Sequence, residues 1–355
     1  MKDERLCEIL EAFSNQKIGV LGDFFLDLYL DLDRSLSELS LETNLEAFQA
    51  VNVRPMPGAA GVVVNNLVEF GVNVTALAYI GDDGNGYELR KALEEKNVRV
   101  ESLVVSKDRF TPTYIKPLMR EVDGTQVELN RIDIKNRQKI PPALEDALIR
   151  TLQKEVGDLD GVLVLEQVDV DEHGVVTPRI RAELAILSQK YPQKIFGVDS
   201  RHFSAQYQET YLKVNLAEAV RTANHVQVGT VEAVEGLDSL AAARHCQQIL
   251  WDDQDRPVFI TLGEEGISGI GEQGSFYHQA YPVTGPMDIV GAGDSVMAGI
   301  GASLCAGASP QEAAYIGNLV GSITIQSLGE TGTARPEEIW ARHQEYQVQI
   351  RKEQE

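Results

Sequence analysis

Apolar and polar positions along this chain follow two different periods. Short runs of β-branched and aliphatic residues recur at 17–21, 74–80, 162–165, 195–198, 225–228 and 258–262, each too short for a helix. Between them apolar residues fall three and four positions apart, which predicts helices over 61–70, 87–96, 142–156, 179–190 and 240–251. Parallel strands need a crossover, and that crossover is usually a helix, so this alternation implies a doubly wound α/β fold: a largely parallel sheet flanked by helices.

Two regions break the alternation. Positions 26–32 with 48–53, and 113–119 with 126–134, read as strands with no helix between them, and Asp123-Gly124 supplies a hairpin turn in the second pair. They predict a small β-sheet lid, its strands within 26–53 and 113–134, over a site at the C-terminal edge of the main sheet. An amphipathic helix over 1–13 opens the chain, and helices over 310–328 and 336–352 close it. Without repeats, long linkers or low-complexity blocks, residues 1–355 read as a single domain with a lid.

Composition narrows the function classes. The chain carries 32 basic against 54 acidic residues, a net charge of −22. That charge disfavours nucleic acid or an anionic membrane as partner, since both are held by basic surface. A phosphate-bearing ligand would need a local positive site. Cys7, Cys246 and Cys305 are far apart and form neither a disulfide framework nor a zinc ribbon. The six histidines show no metal-binding spacing. The N-terminus lacks the basic start and apolar run of a signal peptide, and the apolar stretch 295–306 is too short to span a bilayer. A cytoplasmic protein is expected.

The strongest local chemistry is Asp288-Ile-Val-Gly291-Ala292-Gly293-Asp294 ahead of a helix. Small residues let the backbone turn tightly, so that the amides of Ala292, Gly293 and Asp294 can point at one spot beside the positive end of the helix dipole, an anion site. Asp294 could there accept the proton of an attacking hydroxyl while the amides stabilise a transferring phosphoryl group. The plainer alternative is a capped helix after a glycine turn. Gly269-Ile-Gly271-Glu-Gln-Gly274 formally matches a dinucleotide fingerprint, but 275–281 is extended rather than helical, which favours a loop between strands over a nicotinamide-dependent oxidoreductase. No Walker phosphate loop is present.

With these residues in view the chain resembles the PfkB, or ribokinase-like, family of carbohydrate kinases. The resemblance runs from about Lys17 to Glu338 and includes six ordered motifs: Leu21-Gly22-Asp23 through Asp27, Pro57-Gly58 through Asn65, Tyr79 through Gly84, Asn215-Leu-Ala-Glu218, Thr261-Leu-Gly263-Glu-Glu-Gly266 and the Asp288–Asp294 signature, with Gly317-Asn318 beyond them. Within the family it is most similar to the heptose-7-phosphate kinase type, through Thr111 to Lys116, Glu128 to Asp133 and Asp199-Ser-Arg201. The chain ends where an adenylyltransferase half would begin in that type, so that second activity is expected to be absent.

The resemblance implies an ATP-dependent kinase acting on a hydroxyl of a sugar or sugar phosphate, a heptose 7-phosphate among the candidates. Asp294 would be the base, with Gly291, Ala292 and Gly293 shaping the anion hole. Thr261, Gly263, Gly266 and Asn318 would line the nucleotide site, and Asn215 and Glu218 would position hydrated Mg²⁺. Asp23, Asp27, Gly58 and Asn65 would face the sugar, with Lys116, Arg131 and Arg201 as candidates for a substrate phosphate. A monovalent cation near Asp288 and a homodimer formed through the lid are further implications. Several sugar-side positions depart from the heptose-kinase pattern: Pro57-Gly58 replaces two glycines, Glu166-Gln167-Val168-Asp169 replaces Ser-Asp-Tyr, and Arg201 replaces a lysine. These departures motivate the alternative of a noncatalytic sugar- or nucleotide-binding paralogue.

Overall fold

A computed structural model of the protein describes residues 1–329 and 331–354. Its main sheet has eight strands, in the order Gly274–His278, Ile267–Gly271, Val258–Thr261, Tyr211–Asn215, Ile195–Ser200, Gly161–Glu166, Lys17–Gly22, Asn73–Leu77. The last six run parallel, and the first two close the edge as an antiparallel hairpin. Gly161–Glu166 is buried along its whole length, which explains its unbroken apolar run: a central parallel strand is covered on both faces. The hairpin contains the glycine-rich stretch from Gly269 to Gly274, so that motif is strand and turn, and no helix follows it.

Two expected strands are corrected. The run 225–228 is not a strand: Leu216–Val226 is a helix, followed by a turn in which Gly229 has φ 98°. The helix is set by its start, where Asn215 and Glu218 cap each other, and by Ala219, Thr222 and Ala223 buried on one face; the β-branched residues at its end are outweighed. The strand that fills this place in the sheet is Tyr211–Asn215. The run 74–80 is divided, since Tyr79–Gly81 leaves the main sheet to pair with Val104–Ser106.

The lid forms as a separate five-stranded sheet. Phe24–Asp33 lies between Ala50–Ala59, antiparallel to it, and Thr113–Arg120, parallel to it; Gln126–Glu128 and Ile132–Ile134 both pair with the latter. Gly124, at φ 85°, makes the expected turn. Only Asp23 separates the first strand of the main sheet from the first strand of the lid, so the two sheets share a one-residue joint.

Helix Ala292–Cys305 lies against the sheet because its contact positions are small. A Cβ on Gly301 would come within 2.5 Å of Leu163 Cδ1, and one on Gly299 within 3.1 Å of the Gly317 Cα in helix Pro310–Thr324. Close approach of three elements thus fixes the helix that carries Asp294. No described helix is long and apolar enough to cross a membrane.

Candidate active site

The parallel strands deliver Ser200, Asn215 and Thr261 to one edge of the sheet, the C-terminal edge where α/β folds place ligands. Helix Ala292–Cys305 begins beside them. Its N-cap, Gly291, has φ 79°, a left-handed conformation that a side chain would strain. No side chain caps this helix. One expectation is corrected: the Ala292 amide is not free for an anion, because it donates to the Ile289 carbonyl at 3.2 Å. The tight turn itself consumes that donor, which leaves the amides of Gly293 and Asp294 at the helix start.

Beneath this turn lies a residue that the sequence reading passed over. Lys213, only 5% exposed, places Nζ 2.7 Å from Asp199 Oδ2, itself 6% exposed. The same Nζ would stand 3.0 Å from a Cβ on Gly293, so the glycine leaves room for the ammonium. Burial pulls the Lys213 pKa down, but Asp199 outweighs it and the group stands above its ordinary value. The available signal was a charged residue in the apolar strand Tyr211–Asn215, two positions before Asn215.

Burial, followed by the nearby Asp199 carboxylate, pushes the Asp294 pKa up to about 7, against the opposing pull of Lys213 and Arg201. Glu218 is also raised, by burial first and by Asp199 among its neighbours. Three carboxylates therefore surround one buried ammonium. Asn215 and Glu218 meet in a capping box: Asn215 Oδ1 accepts from the Glu218 amide at 2.9 Å, and Glu218 Oε2 accepts from the Asn215 amide at 2.8 Å. This satisfies the helix start and presents Glu218 toward Asp199 and Asp294. No group of three or more metal-binding side chains occurs among the described residues. The pair instead suits Mg²⁺ held largely by water and phosphate, since that ion keeps several waters and needs only one or two carboxylates.

The expected nucleotide residues converge on a neighbouring corner. Thr261 ends its strand, and the turn closes from Leu262 N–H to the Gly266 carbonyl at 2.8 Å, with Gly263 at φ 61° and Gly266 at φ 109°. A Cβ on Gly266 would meet the His278 carbonyl, and Asn318 Nδ2 donates to the carbonyl of Gln279 at 2.8 Å, so both residues grip the same segment.

On the opposite side, Asp27, Gly58 and Asn65 gather where the lid meets helix Ala60–Glu69. Asp27 accepts from Lys116 Nζ at 2.8 Å, and Gly58 leaves its carboxylate space, since a Cβ there would lie 2.6 Å from Asp27 Cγ. Asn65 donates to the Pro57 carbonyl while its buried Oδ1 has no partner, an acceptor left for a ligand group. Asp23 is placed differently. Its buried carboxylate accepts the amides of Gln167, Val168 and Val175 at 2.7–3.0 Å, so it fastens the loop 167–175; like Asp27, Gly58 and Asn65, it is not among the residues that wall the cleft between the two sheets. Helix Ala60–Glu69 reaches the first turn of helix Ala292–Cys305 directly through the Asn66 Nδ2 bond to Ser295 Oγ at 3.1 Å. Between the two sheets a cleft of about 330 Å³ is walled by Phe25 and Tyr114 of the lid, by Tyr79 of the short strand pair, and by Gln167, Arg201 and His202 from the main sheet's loops.

A doubly wound sheet with a glycine turn at its C-terminal edge and a separate β lid defines a ribokinase-like fold. Residues 15–337 match the model of the pfkB family of carbohydrate kinases, and the chain belongs to that family. It is 28% identical over 342 residues to the bifunctional protein HldE of Citrifermentans bemidjiense, covering 96% of this chain and 66% of that protein. The HldE of Desulfatibacillum aliphaticivorans is 29% identical over 353 residues, covering 98% and 68%. The chain thus spans about two thirds of these curated relatives. Among solved structures, phosphofructokinase-2 from Escherichia coli in complex with potassium superposes with a TM-score of 0.66 at 18% identity, over 92% of this chain and 98% of that one. Ribokinase from Cryptococcus neoformans in complex with ADP gives 0.62 at 18%, over 93% and 99%.

Proposed function

We propose that this carbohydrate kinase transfers the γ-phosphoryl group of ATP to a hydroxyl of a sugar or sugar phosphate, with heptose 7-phosphate the first acceptor to try. The observation that carries the reading is the Asp294 carboxylate, raised to about 7 at the start of an uncapped helix in which Gly293 leaves room for buried Lys213. A carboxylate of raised pKa is a better proton acceptor for a hydroxyl that enters within hydrogen-bond reach. The amides of Gly293 and Asp294 stabilise charge on the equatorial oxygens of the transferring group. ATP use is supported by the ADP in the ribokinase relative and by the corner built from Thr261, Gly263, Gly266 and Asn318.

Asn215 and Glu218 would hold hydrated Mg²⁺, which neutralises charge on the nucleotide phosphates. A monovalent cation site beside Asp288 belongs to the same proposal, supported by the potassium in the phosphofructokinase-2 relative. Val51 and Val53 on lid strand Ala50–Ala59, with Leu39, Leu41 and Phe48 in the small hairpin that precedes it, form an exposed apolar surface suited to pairing with the lid of a second copy. The test is Mg-ATP-dependent ADP release over a panel of sugars and sugar phosphates, with Asp294→Asn beside the wild type. Stimulation by one acceptor and its loss in the variant establishes the activity; binding of Mg-ATP without turnover on a broad panel favours the noncatalytic paralogue.

A further inference from the structure

The cleft between the sheets has a charge opposite to that of the molecule. In a chain of net charge −22, its ionisable lining is Lys135, Arg137, His173, Arg201 and His202 against a single carboxylate, Asp169. The two lid cations that the sequence offered for a substrate phosphate are already engaged, Lys116 by Asp27 at 2.8 Å and Arg131 by Asp133 at 2.6 Å. Lys135 is also drawn toward Asp133, at 3.5 Å. Among the described residues, the guanidinium groups of Arg137 and Arg201 have neither an ion-pair nor a hydrogen-bond partner.

Their backbones, by contrast, are tethered. Arg137 follows Asn136, whose side chain accepts the Phe110 amide at 3.0 Å and donates to the Phe110 carbonyl at 2.8 Å. It precedes Gln138, whose carbonyl is held by buried Arg109. Arg109 also bonds the His173 carbonyl on the facing loop, the loop that Asp23 fastens through three amides. Arg201 is fixed by its own amide on the Glu166 carbonyl at 3.2 Å and by Arg221 on its carbonyl at 2.8 Å. Two planar, unpartnered donor forks thus line one concavity, Arg137 just after lid strand Ile132–Ile134 and Arg201 just after main-sheet strand Ile195–Ser200, and such forks suit the oxygens of a phosphate monoester.

We propose that the acceptor carries a phosphate monoester and that Arg137 and Arg201 seat it; this deepens, and rests on, the kinase reading. The anion is assigned to the acceptor rather than to the nucleotide because the cleft includes Phe25 and Tyr114, the strand partners of Gly58 and Asp27 in the lid, and none of Gly263, Gly266 or Asn318; Asp27, Gly58 and Asn65 themselves lie beside the cleft and do not wall it. Arg201 is also near enough to Asp294 to draw its pKa down, against the stronger effect of burial. The volume of about 330 Å³ lies in the lower part of the range for small-molecule sites.

The experiment measures Mg-ATP-dependent turnover on matched pairs, such as heptose 7-phosphate against heptose and fructose 6-phosphate against fructose, alongside calorimetric binding of inorganic phosphate. The preferred pair is expected to show kcat/KM at least about 100-fold higher for its phosphorylated member. Arg137→Gln is expected to raise KM for that member by about 10- to 100-fold with little change in kcat, while Arg150→Gln on the outer helix Pro142–Glu155 leaves both unchanged. Inorganic phosphate should compete with the acceptor, and its binding should vanish in Arg137→Gln/Arg201→Gln, whose fold is checked by circular dichroism. Equal turnover of the unphosphorylated member, insensitive to Arg137→Gln, overturns the phosphate seat and leaves the kinase standing. Phosphate binding that depends on both arginines, without turnover on any acceptor, retains the seat and removes the kinase reading. Phosphate binding unaffected by the double variant assigns the anion elsewhere and overturns the proposal.

Discussion

At the residue scale, the site depends on how few countercharges its carboxylates have. Asp199 is paired with Lys213, and Asp294 shares the same ammonium from farther away, so burial and the Asp199 charge hold its pKa near 7. If Asp294 is the base, kcat/KM for the acceptor falls about tenfold per pH unit below 7. A pH–rate profile checks this, and Asp294→Asn should lower kcat by at least about 1,000-fold while Mg-ATP affinity stays within a few-fold. Stability carries the same signature with a definite sign. The folded Asp294 pKa lies above its ordinary 3.8, so protonation favours the folded state, and stability is lost as pH rises toward 7. Asp294→Asn should therefore have the higher Tm at pH 8, with the advantage gone near pH 4. Lys213→Met leaves Asp199 buried and unpaired; urea unfolding should show a loss of about 3–5 kcal/mol, partly recovered by Lys213→Met/Asp199→Leu.

At the element scale, function depends on two close approaches. Helix Ala292–Cys305 can present Asp294 where it does only because Gly301 admits Leu163 of the central strand. Gly301→Ala forces its Cβ against Leu163 Cδ1, and overpacking of this kind typically costs about 1–3 kcal/mol. Because the helix must then shift, kcat should fall together with the urea midpoint. The second approach is the corner where lid strand Ala50–Ala59 enters helix Ala60–Glu69. Ala59 stands there at φ 52° and ψ −116°, a conformation unfavourable for a residue with a Cβ. Ala59→Gly should raise stability by about 1 kcal/mol in the same urea measurement; a loss would mean that the alanine methyl contributes packing that outweighs the strain.

For the whole molecule, charge and apolar surface divide the work. The excess of acid keeps nonspecific anions away, while the cleft between the sheets concentrates basic groups facing inward. The segment from Leu36 to Val53, which ends in lid strand Ala50–Ala59, carries a run of exposed apolar residues. If two lids pair, sedimentation velocity should give a dimer at micromolar concentration, and Val53→Glu should shift it toward the monomer. A wild type that sediments as a monomer would remove the lid-pairing proposal without touching the catalytic one.

Much of this was legible in the order of residues, and the reason is that the decisive signals are local. Periodicity marks strands and helices because backbone geometry repeats over a few residues; glycine at 291 and the spacing of Asn215 from Glu218 mark a turn and a helix start in the same way. The lid could be inferred because its strands lack intervening helices. What lay beyond the order of residues was the partnership of charges. Asp23 looks like a ligand contact until three amides of a loop about 145 residues away are found on its carboxylate. Lys213 is one charged residue in a strand until the fold places it beneath Gly293 and beside Asp199. Ionisation, burial and the freedom of Arg137 and Arg201 are set by neighbours through space, and only the tertiary structure chooses those neighbours.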